Sequence, residues 1–247
     1  MSYQVNRTAV QRCLAQNWIE LWNGPNPMWL NDRHLQARCR RVVDDILSLL
    51  AGRAQPIVLD YGCGEALEVH RMAAVAGRLF LYDAPPAILD RIKTRYAATP
   101  NVEVIGDEKL RAIPKASLDV VVMSSVIQYL SPTQFEILLE RFFAQLKPGG
   151  EILIGDVIPP TGDHVDYALT LLADGLRYGY FWAAVRGMIV MRFSHYWDLK
   201  RSLRYSYYSE EAIVALLRRH GFEPERLPLN IGGGRGRMTF RARKPDR

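Results

Sequence analysis

The sequence predicts an α/β fold: a doubly wound, mostly parallel sheet with helices on both faces and a helical insertion late in the chain. Three observations predict it. Short apolar runs recur between helix-like stretches, as in strands buried on both faces. The first run leads straight into a turn with two glycines, "VLDYGCGEALEV" at 58–69. Acids follow the strand-like runs: Asp60 after the first, Asp83 after the second and Asp107 just past the third. In a sheet of this kind ligands sit beyond the carboxyl ends of the strands.

The elements follow in order. Residues 1–55 form an N-terminal helical segment rich in Trp, Arg and Leu, with Val42, Val43, Ile46, Leu47, Leu49 and Leu50 on one helical face. "AGRAQP" ends it. The core runs over 56–158. "PIVLDYG" is the first strand, and Glu65 to Val75 reads as the helix after the turn. "RLFLYD" is the second strand. Pro85-Pro86 opens a helix with Ile88, Leu89, Ile92 and Tyr96 on one face. "VEVIGD" and "LDVVVMSS" are the third and fourth strands. Ser131-Pro132-Thr133-Gln134 has the form of a capping box with proline at the first helical position. Phe135, Leu138, Leu139, Phe142, Phe143 and Leu146 follow at helical spacing, "KPGG" stops the helix, and "EILIGDV" is the fifth strand. Residues 159–206 are apolar, aromatic and basic together and read as two or three inserted helices. Residues 207–247 add a helix from Ser209, stopped by Gly221, and a tail, "RMTFRARKP", that alternates like a final strand. The whole chain reads as one domain.

Bulk properties narrow the function classes. About half of the 247 residues are apolar and 23% are charged, as in an ordinary globular protein. The net charge of +6 permits attraction to acidic partners. Three cysteines, Cys13, Cys39 and Cys63, form no CxxC pair and no zinc spacing, so a reduced, cytoplasmic, metal-free protein is expected. The N-terminus lacks the continuous apolar core of a signal peptide. No apolar run is long enough for a membrane span.

The glycine turn carries the chemistry. Gly62 and Gly64 let backbone N–H groups approach a ligand closely, and a helix N-terminus favours negative charge. A dinucleotide-binding turn would need a third small residue where Leu67 stands. Asp60 would repel a pyrophosphate and favour a cation. Asp83 follows Asp60 by 23 residues, near the spacing at which an acid reaches a ribose diol. The site therefore suits a nucleoside with a positive charge nearby.

That combination resembles the class I S-adenosylmethionine-dependent methyltransferases. Asp60-x-Gly62-x-Gly64 is similar to their first motif, with Ala66 where the family has a third glycine. "LFLYD" resembles the second motif, "GDEKLRAIPKASLDVVVMSS" the third and fourth strands, "FFAQLKPGGEILIGD" the helix and fifth strand, and "YYSEEAIVALLRRHGF" the late helix. The resemblance covers roughly 40–158 and 206–243. It implies a Rossmann-like sheet of about seven strands, S-adenosyl-L-methionine as cofactor and a small-molecule acceptor. By resemblance, Asp60 orients the methionine ammonium, and the backbone of Gly62, Cys63 and Gly64 passes close to the methionine and ribose. Asp83 takes the ribose hydroxyls with Ala84 packed nearby. Asp107 and the Glu108 backbone meet the adenine edge. Ser124, Ser125 and Gln128 line the cofactor. Taken alone, an acid at a strand end caps the next helix about as often as it binds a ligand. Cys63 reads as a space-filler rather than a nucleophile.

A hydroxyl acceptor would call for a general base. His164, His195, Asp163 and Asp166 are the candidates in or beside the insertion, with His164, close after strand five, in the lead. "SSVIQY" replaces the Asn/Asp-Pro-Pro-aromatic run of base-directed amino methyltransferases, and no nucleic-acid module is present. From 164 to 205 six basic residues face three acids, a net +3. This insertion is expected to form a substrate lid, with a homodimer interface or a peripheral lipid contact through 176–204 as the alternatives. Trp18, Trp22 and Trp29 either close over the same pocket or pack on the sheet. A sugar, polyketide-like or lipid-linked acceptor fits the apolar, basic lid. The rival readings are a nicotinamide-dependent oxidoreductase and a non-catalytic binding module on the same fold.

Overall fold

The computed structural model describes residues 18–19, 22–23, 29–161, 164–193 and 205–246, with backbone alone at 164–167 and 190–193. Helix α1 spans Asp32–Leu50, and Asn31 caps it by accepting the His34 N–H at 2.9 Å. Then follow β1 (Ile57–Tyr61), α2 (Val69–Ala73), β2 (Arg78–Tyr82), α3 (Pro86–Tyr96), β3 (Val102–Val104), α4 (Asp107–Ala112) and β4 (Leu118–Ser124). A 3₁₀ turn at Ile127–Tyr129 leads to α5 (Pro132–Gln145) and β5 (Leu146–Val157). The insertion forms α6 (His164–Tyr178) and α7 (Phe181–Phe193). Helix α8 (Glu210–Arg219), β6 (Glu223–Leu227) and β7 (Met238–Arg243) complete the chain.

The seven strands lie in the order β3-β2-β1-β4-β5-β7-β6. The β5–β7 and β6–β7 pairs are antiparallel and the others parallel. Chain order reverses between β1 and β4, so the crevice at their carboxyl ends is where a ligand is expected.

Alternation along each strand divides the core in two. Val58, Leu79, Leu81, Val120, Val122 and Leu153 face α1, α2 and α3, where they meet Ile46, Met72, Ile88 and Ile92. Leu59, Phe80, Val121, Met123, Ile152 and Ile154 face the other way, onto Phe135, Leu139 and Phe142 of α5 and Ile213 and Leu217 of α8. Continuous apolar runs are needed because both faces are covered. A small third cluster, with Ala37, Leu171, Tyr180 and Ala184, seats the insertion on α1. On the outside of the insertion Leu176, Trp182 and Ile189 are exposed. Among the described residues no helix is long and apolar enough to cross a membrane.

The expected capping box is present. Ser131 Oγ accepts the Gln134 N–H, and Gln134 Oε1 accepts the Ser131 N–H. Three expectations need correction. The helix after the glycine turn is only Val69–Ala73, because Gly64 (φ +58°) and Ala66 (φ +49°) are left-handed and use residues 65–68 in turns. Helix α5 ends at Gln145, before "KPGG". Pro148 disfavours helical backbone at the residue ahead of it, and Lys147–Gly150 form an irregularity within β5, with Gly149 at φ +71°. Strand β6, "EPERL", was not located in the sequence, because an edge strand carrying three charges gives no apolar alternation.

Two substitutions test the turn. Gly62 has φ +81°, and a Cβ there would stand 2.3 Å from Val126 Cγ2. Gly62→Ala is expected to lower stability by about 2–4 kcal/mol. Ala66 already bears the left-handed strain, so Ala66→Gly is expected to leave stability unchanged or raise it by up to about 1 kcal/mol. Urea unfolding of both variants checks this; a clear loss in Ala66→Gly would contradict it.

Candidate functional site

The Gly62–Glu68 loop does not simply pass over the sheet. It is folded back onto the end of the neighbouring strand. The Gly62 and Cys63 N–H groups both donate to the Tyr82 carbonyl, at 2.7 and 3.1 Å. The Gly64 N–H donates to Asp83 Oδ2 at 2.7 Å, and the Ala84 N–H donates to Asp83 Oδ1 at 2.8 Å. From the far side α3 holds the loop: Arg91 pairs with Glu65, Arg95 donates to the Glu65 carbonyl, and the Tyr96 hydroxyl donates to the Ala66 carbonyl. Each bond satisfies a group the turn would otherwise leave unpaired.

Above this turn lies a cavity of about 510 Å³. Asp60, Gly62, Cys63, Gly64, Asp83, Ala84, Asp107, Ser124 and Ser125 all line it, so nine of the residues singled out in the sequence converge on one space. Glu108 does not line it and points to solvent from α4. Gln128 does not line it either. Its Nε2 donates to the Ser125 carbonyl at 2.8 Å, and this residue belongs to a second cavity. Trp18, Trp22 and Trp29 line the first cavity, and Trp22 also packs against the core cluster on the α1 side of the sheet. Trp18 stacks on Tyr129 at 5.6 Å, and Trp22 meets both Trp29 and Tyr129 edge-on. Helix α6 begins at His164, but its side chain, that of Asp166, and Asp163 and His195 lie outside the described residues.

Electrostatically the floor is unusual. Asp60 and Asp83 are only 7% and 8% exposed. Burial, and then the charge of Asp83, pushes the Asp60 carboxyl up to about 7. Burial pushes Asp83 up to about 6, against the opposing Gly64 and Ala84 N–H groups. Neither acid forms an ion pair among the described residues. Burial raises the Cys63 thiol well above its usual range, so it is not an activated nucleophile. The Tyr82 hydroxyl donates to Asp107 Oδ1 at 2.6 Å and fixes that carboxylate at the rim.

The second cavity, about 330 Å³, adjoins the first. Trp22, Trp29, Arg38, Ser125 and Tyr129 line both. Its other walls come from α1, α6 and the 230–237 loop. At the junction Ser125 Oγ donates to Asp156 Oδ2 at 2.6 Å, and the Arg38 guanidinium reaches Ser125 Oγ and Asp156 Oδ2, each at 3.2 Å. Ser125 and Asp156 are both left-handed, at φ +60° and +61°. Two left-handed non-glycine residues thus stand side by side at strand ends, a conformation that persists only where the surroundings hold it. Sequence reasoning missed Asp156 and Arg38. Asp156 follows "EILIG" at a strand end, the same signal that selected Asp60 and Asp83; Arg38 carried no signal. Among the described residues no group of three or more His, Cys, Asp or Glu side chains could hold a metal ion.

The raised acids predict a pH effect in the ligand-free protein. Between about pH 4 and 7 the folded state holds protons that the unfolded state has released, so this pair makes stability fall as pH rises through that window. His34, lowered to about 4 by burial and then by Arg38, acts in the opposite direction. The test is therefore a difference: wild type should lose more stability than Asp60→Asn between pH 5 and 7.5 in urea unfolding. Parallel profiles would contradict the assignment.

Comparison with known proteins agrees with this geometry. Residues 58–150 match a methyltransferase domain family. Carboxy-S-adenosyl-L-methionine synthase of Sodalis glossinidius is 31% identical over 121 residues, 45% of this chain and 49% of that protein. The chain thus spans about half the length of the curated relatives it matches. Among solved structures, the 1,6-didemethyltoxoflavin-N1-methyltransferase of Burkholderia thailandensis, with bound 1,6-didemethyltoxoflavin and S-adenosylhomocysteine, has a TM-score of 0.59 at 17% identity, covering 100% of this chain and 93% of that one. The N-methyltransferase NodS of Bradyrhizobium japonicum, in complex with S-adenosylhomocysteine, has a TM-score of 0.56 at 16% identity over 94% and 98%. At such identities these two likenesses speak to the fold. The methyltransferase-domain match begins on β1 and ends inside β5, on a sheet of this strand order, so this part of the chain is similar to the methyltransferase domains of that family.

Proposed function

We propose that this protein transfers a methyl group from S-adenosylmethionine to a small-molecule acceptor. The observation that carries the reading is the cradle of Asp60, Gly62, Gly64 and Asp83, with a second cavity adjoining it across Ser125. The residues fit the cofactor. Asp60 is a buried carboxylate with no cation beside it among the described residues, the partner an ammonium needs. Asp83 spends one acceptor site of each oxygen on backbone and keeps others for a diol. Ser124 Oγ is buried at the wall without a hydrogen-bond partner among the described residues. Gly62 has no room for a side chain.

When bound, the cofactor supplies an activated methyl group on a sulfonium. The protein's task is mainly alignment. Asp60 and Asp83 anchor the two ends of the donor. Trp18, Trp22 and Trp29 cover the cavity and exclude water. The α6–α7 insertion serves as the lid over the second cavity, where the acceptor sits. The acceptor's lone pair faces the first cavity on the Ser125 side, where the two cavities adjoin. An acceptor hydroxyl or amine must also lose a proton. Asp156 is placed for that: Oδ2 is held by Ser125 and Arg38, while Oδ1 accepts no hydrogen bond among the described residues. It takes the role for which His164 was the leading candidate. A nicotinamide cofactor is disfavoured, because Asp60 lies where a pyrophosphate would have to pass.

Isothermal titration with S-adenosylhomocysteine tests the reading. Wild type is expected to bind in the micromolar range and Asp83→Ala at least tenfold more weakly, a loss of about 1.4 kcal/mol or more. A folded wild type that does not bind would leave a non-catalytic module as the better reading.

A further inference from the structure

The second cavity carries an excess of positive charge that the steps above do not use. Arg38, Arg41, Arg235 and Arg237 line it, against the carboxylates of Asp156 and Asp174. Two of the four arginines are committed. Arg38 pairs with Asp156 at 3.2 Å, and one Arg41 nitrogen reaches both Asp174 oxygens, at 2.7 and 2.8 Å. Arg235 and Arg237 form no ion pair among the described residues. His34, also in the wall, stays neutral at ordinary pH because burial and Arg38 hold its pKa near 4. Among the described residues the cavity therefore has two unmatched positive charges.

These arginines do not sit on a loose arm. The loop that bears them is anchored ahead of them, over 230–234. The Gly232 N–H donates to Asp45 at 2.8 Å, and Arg38 donates to the Gly232 carbonyl. A Cβ on Gly233 would stand 1.9 Å from the Arg41 guanidinium carbon, so the loop lies flat on α1. Asn230 Oδ1 accepts from the Asp156 N–H and from the fully buried Thr239 hydroxyl. Arg237 is half-buried and Arg235 exposed, which suits an inner and an outer contact to one anionic group. Guanidinium groups favour carboxylate and phosphate oxygens. The remaining wall is largely aromatic, with Tyr178, Tyr180, Tyr205 and Tyr207 beside the shared tryptophans. Rings of this kind favour a flat, apolar body.

Resting on the methyltransferase reading, we infer that the acceptor is an acid. It carries a carboxylate or phosphate group on a flat apolar body, bound in the second cavity with its anionic group on Arg237 and Arg235. A neutral sugar would leave both charges unmatched.

The probes are phenyl phosphate, benzoate and neutral benzyl alcohol, titrated into protein saturated with S-adenosylhomocysteine. Binding is read calorimetrically, in wild type, Arg237→Gln and Arg235→Gln. Wild type is expected to bind at least one acid at least tenfold more tightly than the alcohol, and which acid binds identifies the group. Arg237→Gln should weaken that binding at least tenfold and Arg235→Gln less, with S-adenosylhomocysteine affinity unchanged in both. Equal binding of acid and alcohol, no binding of either acid, or full affinity in both variants would overturn the inference. Failure of S-adenosylhomocysteine to bind wild type would instead overturn the methyltransferase reading beneath it.

Discussion

The contact between the Asp83 carboxylate and the backbone of the glycine turn constrains the rest of the site. Asp83 Oδ2 accepts the Gly64 N–H, while the Tyr82 carbonyl just before it accepts two more N–H groups from the same turn. This closure draws the end of β1 against the end of β2. It requires left-handed backbone at Gly62, Gly64 and Ala66. It also brings Asp60 and Asp83 together beneath the cavity, where burial makes both reluctant to ionise. In a sheet covered on both faces, such a floor persists only because the strands beneath it are apolar and close-packed. Val120, Val121, Val122 and Met123 of β4 are all fully buried. The unfavourable burial of two acids is thus a local cost carried by a rigid core, one that a bound cation would relieve.

Helix α1 plays the corresponding role on the other side of the cavities. Its inner apolar face, with Val43, Ile46 and Leu50, packs on the sheet. Arg38, Arg41 and Asp45, spaced at i, i+3 and i+7, share another face. Arg38 ties together Ser125, Asp156 and the Gly232 carbonyl; Arg41 holds Asp174 of the insertion; Asp45 holds the Gly232 N–H. One helix thereby fixes the ends of β4 and β5, the glycine-rich loop and the insertion relative to one another. The left-handed Ser125 and Asp156 remain in place because this network leaves them little freedom.

Much of this was legible in the sequence. The apolar runs of β1, β2, β4 and β5 marked a doubly covered sheet, and the spacing of Asp60, Gly62, Gly64 and Asp83 marked its ligand end. Ser131 to Gln134 announced the start of α5. The sequence was silent wherever the signal lay in long-range pairing. Among the described residues edge strand β6 pairs only with β7, and it alternates weakly because it carries Glu223, Glu225 and Arg226. The helix after the turn was overestimated because Ala66, a good helix former, is held left-handed by α3 through Tyr96. Arg38 and Asp156 are 118 residues apart and meet only in the folded chain. Gln128 followed its serines in sequence, yet its bond to the Ser125 carbonyl turns it into the neighbouring cavity.

The most direct measurement is a crystal structure with S-adenosylhomocysteine bound. The ribose hydroxyls are expected within about 2.6–3.2 Å of the Asp83 carboxylate, with the Gly64 and Ala84 bonds to that carboxylate intact. The amino group is expected on the Asp60 side, and the cavity of Arg235 and Arg237 still open. A ligand seated among those arginines, or one that leaves Asp83 untouched, would contradict this placement.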